Sequence, residues 1–87
     1  MRIWQLTYQS KDKFVIETYK EFEYALEQYN KLVNIWKAKP NVCEFINEDY
    51  GREFGYYRTS YFSNDIQIKL YGDVFILLNC FYFINNN

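Results

Sequence analysis

Apolar and polar residues alternate from Arg2 to Gln9, with Trp4, Leu6 and Tyr8 on one face and Gln5 and Thr7 on the other. A polar stretch from Ser10 to Lys13 separates this run from Phe14, Val15 and Ile16. Period-two alternation, a polar break and a second apolar run predict a β-hairpin. Thr18 lies three residues before Glu21. At that spacing the two side chains can satisfy each other's free backbone N–H groups, so a helix is predicted to begin at Tyr19. Its Phe22, Ala25, Leu26, Tyr29, Leu32, Val33 and Trp36 fall within about 120° of arc, one face able to seal against a sheet. Glu21, Glu23 and Glu27 early, and Lys31, Lys37 and Lys39 late, complement the helix dipole, and Pro40 ends the helix.

Beyond Pro40, Val42–Ile46 reads as a short strand and Asn47–Gly51 as a turn whose Glu48 and Asp49 lie in solvent. Phe54–Phe62 reads as a strand dense in tyrosine. Ile66, Ile68 and Leu70 alternate with Gln67, Lys69 and Tyr71, and Gly72 with Asp73 suits a tight hairpin loop into the last strand. That last run, Val74–Ile84, is apolar at almost every position. It suits a strand buried on both faces or one paired with a second copy of the chain. The order is read as ββαβββ, an α+β fold with one amphipathic helix packed on an antiparallel sheet. The 87 residues form one domain, and Asn85, Asn86 and Asn87 are expected to fray.

Composition sharpens this picture in two ways. Aromatic residues make up 23% of the chain, enough to build a core in so small a domain but too many, with ten tyrosines, to hide all of them. The net charge of −1 gives no global attraction to nucleic acid or to an anionic membrane. Val74–Ile84 is too short to cross a bilayer as a helix, and no membrane partner is expected. Cys43 and Cys80 stand far apart in apolar runs, and no signal sequence is evident at the N-terminus, so a reducing, cytoplasmic setting is expected.

The chain holds no histidine, so no imidazole base, histidine zinc site or Ser-His or Cys-His nucleophile can be assembled. Its three glycines are scattered and form no phosphate loop. Glu44, Glu48, Asp49 and Glu53 are the one carboxylate cluster, without a diagnostic metal spacing, and read as a solvated loop. The expectation is a protein that is not an enzyme and needs no cofactor or metal.

Two surfaces could bind. Arg52–Tyr61 interleaves Arg52 and Arg58 with Tyr56, Tyr57 and Tyr61, a composition suited to stacking on single-stranded RNA or DNA while arginine meets phosphate. Arg52, Phe54, Gly55 and Tyr56 resemble part of the RNP1 motif of RNA-recognition domains, but Glu53, Tyr57 and Thr59 depart from it and ββαβββ is not that family's order. The bland reading is that these rings pack under the helix and across strands. The second surface is the back of the helix, where Tyr24, Gln28, Lys31 and Ile35 fall within about 60° of one another. A protein partner or the second subunit of a dimer could cover it.

The segments IWQLTYQ, FVIETYK and EFEYALEQYNKLV, with the small size and an Asn-, Tyr-, Ile- and Lys-rich composition, resemble the small early proteins of T-even-like phages that antagonise host toxin-antitoxin ribonucleases. The resemblance covers the first half of the chain. It implies a counter-defence inhibitor that sequesters a host toxin or defence nuclease, with RNA as a further partner, in the host cytoplasm. The competing readings are a single-strand nucleic-acid binder and a structural subunit of a homodimer or higher oligomer.

Overall fold

The computed structural model describes residues 2–10, 13–40, 42–63 and 74–82. Its elements are β1 (Arg2–Ser10), β2 (Lys13–Tyr19), α1 (Phe22–Lys37), β3 (Val42–Asp49), α2 (Gly51–Phe54), β4 (Tyr56–Ser63) and β5 (Val74–Tyr82). The five strands form one antiparallel sheet in the order β2-β1-β5-β4-β3. The fold is α+β with one main helix packed on an antiparallel sheet, as the pattern predicts, and among the described residues strands and main helix run in the order ββαβββ. The predicted Ile66–Leu70 strand and the Asn85–Asn87 tail lie outside the described residues.

One face of α1 seals the sheet. Ala25, Tyr29 and Trp36 are buried against Trp4, Leu6, Tyr57, Tyr61, Val74, Ile76 and Leu78, with Phe22, Leu26, Leu32 and Val33 packed around them. These are the helix residues that the hydrophobic arc selects. Aromatic tips inside the layer find partners, as amphipathic rings must when desolvated. Trp36 donates its indole N–H to the Tyr8 hydroxyl at 2.8 Å, Tyr29 shares a 2.6 Å hydrogen bond with buried Thr59 Oγ1, and Tyr61 donates to the Val33 carbonyl at 3.3 Å. Burial above all pushes the Tyr29 phenol up to about 12, with the hydrogen bond to Thr59 opposing the shift.

Three boundaries differ from the sequence reading. The helix begins at Phe22 rather than Tyr19, and the Thr18–Glu21 box is not formed: Thr18 pairs with Gln5 in the hairpin, and Glu21, the N-cap, makes no side-chain capping bond. The hairpin ladder continues because Tyr19 stands opposite buried Trp4, so tertiary pairing outweighs a local cap. Asn47, Glu48 and Asp49 are strand rather than turn, paired with Thr59, Arg58 and Tyr57. The turn falls later: Gly51–Phe54 forms a single helical turn whose Phe54 is exposed, and β4 starts at Tyr56.

Gly55 makes that late turn possible. Its φ of +65° is left-handed, its N–H bonds the Gly51 carbonyl at 2.9 Å, and its carbonyl accepts from the Cys80 N–H at 2.8 Å. A Cβ there would stand 2.5 Å from the Cys80 Cβ. Backbone conformation and contact with β5 therefore both require glycine.

β5 is the central strand, between β1 and β4, with Val74, Ile76 and Leu78 buried beneath α1. Among the described residues no helix lies on its other face, where Phe75 and Leu77 are half-buried.

Candidate protein-binding surface

Residues paired across neighbouring strands share a face of the sheet, so the register defines the face opposite α1. One row runs Phe14, Gln9, Phe75, Ser60, Ile46, and the next Ile16, Thr7, Leu77, Arg58, Glu48. A third runs Thr18, Gln5, Asn79, Tyr56, and Ile3 pairs with Phe81 beyond it. Among the described residues no helix lies over these rows. Phe14 is 62% exposed, Ile16 49%, Phe81 44% and Phe62 37%, with Leu77 and Phe75 half-buried in the middle. Apolar residues of β2 and β5 thus flank a polar line of Gln5, Thr7 and Gln9 from β1, and exposed aromatic and aliphatic side chains grouped on one face in this way mark a surface that a partner can cover.

The charges of this face are spent on each other. Arg58 donates to Glu48 Oε1 at 2.5 Å, with both side chains under a third exposed. The Arg58 guanidinium first, and the Tyr50 hydroxyl second, hold the Glu48 carboxyl below the usual carboxylate range. Glu48 is thus not the free loop carboxylate that the sequence suggests. Two further polar atoms on this face, Arg58 Nε and Asn79 Oδ1, are buried without a hydrogen-bond partner, a cost the described chain leaves unmet.

The sequence-selected nucleic-acid residues are split among three places. Tyr57 and Tyr61 are core residues beneath α1, 7% and 2% exposed, and cannot stack on a base. Tyr56 and Arg58 lie on the open face. Arg52 belongs to α2, where its guanidinium sits over the Phe22 ring at 4.9 Å and pairs with Glu23 at 3.5 Å. The described structure therefore does not gather these five into one stacking platform, and it places Tyr57 and Tyr61 as the bland reading of the rings has them.

The helix-back residues share one flank. Tyr24 and Ile35 are each 53% exposed, and the Tyr24 ring meets Tyr19 edge-on at 5.3 Å. Gln28, Lys31 and Ile35 form one lip of a groove of about 440 Å³ whose other wall is β2, through Lys13, Val15 and Glu17. Lys31 is paired with Glu27 at 3.5 Å on the exposed helix surface.

The remaining candidates are accounted for locally. Asp49 Oδ1 accepts the Gly51 N–H at 2.9 Å and fixes the α2 turn. Among the described residues no group of three acidic, histidine or cysteine side chains is placed to hold a metal ion. Cys43 and Cys80 are not joined in a disulfide, and Cys80 Sγ accepts a hydrogen bond from Arg2 Nε at 3.1 Å. No helix among the described residues is long and apolar enough to cross a membrane.

Sequence reasoning missed Phe14, Ile16, Leu77 and Phe81 as surface residues. For Leu77 and Phe81 the signal was present in the last strand, where both alternating sets are largely apolar although a two-layer fold buries only one. Compared with protein-family models, with curated proteins and with solved structures, the chain gives no match.

Proposed function

We propose that this is a non-catalytic binding protein whose open sheet face docks a protein partner. The carrying observation is a sheet face on which Phe14, Ile16, Phe62 and Phe81 stand exposed among uncharged polar residues while its two charges, Arg58 and Glu48, are paired to each other. Five strands at about 4.8 Å spacing and up to about 30 Å long give a face of roughly 600 Å². That approaches the footprint of about 800 Å² per partner in a stable protein complex. Nucleic acid is a poorer match because phosphate contacts need available cations, whereas Arg52 and Arg58 are both engaged by carboxylates. The counter-defence inhibitor of a host toxin or nuclease, acting in the cytoplasm, is the specific form of this reading.

The test is affinity purification from the cells in which the protein acts, using wild type and the L77Q/F81E double variant, with and without nuclease treatment. One protein retained at stoichiometric amount by wild type, lost by the variant and indifferent to nuclease is the expected result, and its mass identifies the target class. Retention by the variant would overturn the open-face reading. Release by nuclease would move the assignment to RNA.

A further inference from the structure

We propose that the outer edge of β2 pairs antiparallel, about a two-fold axis, with β2 of a second copy of this chain. The inference concerns the backbone edge of β2 rather than the open face, with which it shares Phe14 and Ile16, and it does not depend on the open-face reading. Among the described residues the sheet ends in β2 on one side and β3 on the other, and the two edges differ. The β3 edge has a register shift between Glu44 and Ile46 and carries Glu44, Glu48 and Asp49. Irregularity and charge are what discourage another strand from adding to an edge. β2 pairs with β1 without a register shift from Lys13 to Tyr19 and contains neither proline nor glycine. It also exposes Phe14 and Ile16. An edge so regular and so apolar is a template for a further strand.

The sequence of β2 selects the strand that fits. Residues opposite one another in an antiparallel pair must lie on the same face, which permits only alternate registers. With Val15 on the axis, Lys13 of each copy stands opposite Glu17 of the other, Phe14 opposite Ile16, and Val15 opposite Val15. Moving the axis to Phe14 sets Lys13 against Val15. Moving it to Ile16 sets Glu17 against Val15 and Phe14 against Thr18, and moving it to Glu17 brings two carboxylates together. Opposite charges and apolar pairs directly across antiparallel strands stabilise them, and like charges do the reverse. The Val15-centred register is the one of these that satisfies every position from Lys13 to Glu17. On the helix side it sets the two grooves between α1 and β2 next to each other. On the opposite side it carries the apolar rows of the sheet face across the axis through Phe14 and Ile16.

Sedimentation equilibrium on the purified full chain, from micromolar concentration upward, tests this with a charge-swap cycle. Wild type is expected to dimerise. K13E and E17K each place like charges at both ends of the strand pair and are expected to weaken the dimer about tenfold or more. The K13E/E17K double variant restores opposite charges and is expected to return within about threefold of wild type. Both side chains are exposed, and circular dichroism verifies that each variant is folded. A wild-type monomer at every concentration, single variants that dimerise like wild type, or a double variant no tighter than the singles would each overturn the proposal. L77Q/F81E is expected to dimerise as wild type does, so failure of this edge and failure of the open-face reading are distinguishable.

Discussion

The two faces of the sheet are built from the same strands and differ in what they do. On the covered face Trp4, Leu6, Ile76 and Leu78 are all but removed from water, and tyrosine and tryptophan tips hydrogen-bond between helix and strand. On the open face Phe14, Ile16 and Phe81 stand in solvent and Arg58 is left with Glu48. The difference teaches that aromatic richness serves two purposes in this chain. One set of rings is the core that lets so small a domain fold, and the other stays exposed on the open face, where the proposed partner would dock.

The largest effect should come from breaking the covered face. Trp4, packed on the Phe22 ring at 4.7 Å, is expected to cost about 3–5 kcal/mol on replacement by alanine, a large share of the roughly 5–15 kcal/mol that keeps an ordinary domain folded. Phe81→Ala, on the open face, should cost less than about 1 kcal/mol. Urea denaturation of the two variants checks the contrast, and equal losses would erase it. Gly55→Ala comes next. A left-handed φ and a Cβ clash with Cys80 should together cost about 2–3 kcal/mol, measured as a fall in denaturation midpoint without change in slope.

A further effect is a pH dependence shared by several phenols: burial raises Tyr29, Tyr57 and Tyr61 beneath α1, and Tyr19 and Tyr50 are raised as well. Tyr29 titrates at about 12 when folded against about 10 when unfolded. Its raised pKa means that the folded state keeps the proton longer. The contribution is complete below pH 10 and is lost as pH rises from about 10 to 12, at no more than about 1.4 kcal/mol per pH unit. Y29F should reduce the slope of that stretch of the stability curve, leaving the share of the other raised phenols. It should also cost about 1–2 kcal/mol at neutral pH by leaving Thr59 without its partner. An unchanged alkaline slope in Y29F would show that another phenol carries the effect.

Much of the covered face was legible in the sequence because it follows from periodicity. The seven apolar helix positions and the alternating Trp4, Leu6 and Tyr8 identify the residues that meet, and Pro40 marks where the helix must stop. What could not be read depended on contacts distant in sequence. The Thr18–Glu21 pair carries a genuine helix-start signal, but whether it forms depends on Tyr19 lying opposite Trp4. Asn47–Asp49 looks like a turn until β4 provides Tyr57, Arg58 and Thr59 as partners. Arg52–Tyr61 looks like one strand, yet the left-handed Gly55 breaks it, and alternation then sends Tyr57 and Tyr61 inward while Tyr56 and Arg58 go out. The flank of α1 was legible, since Tyr24 and Ile35 had no place on the core arc. The open face was not, because apolar residues at almost every position of β5 hide which set α1 covers.

The central claim is that one face folds the protein and the other binds. It is tested most directly by comparing thermal stability and partner retention in L77Q/F81E and in wild type. A melting temperature within a few degrees of wild type together with loss of the stoichiometric partner is the predicted result. A folded variant that still retains the partner would contradict the account.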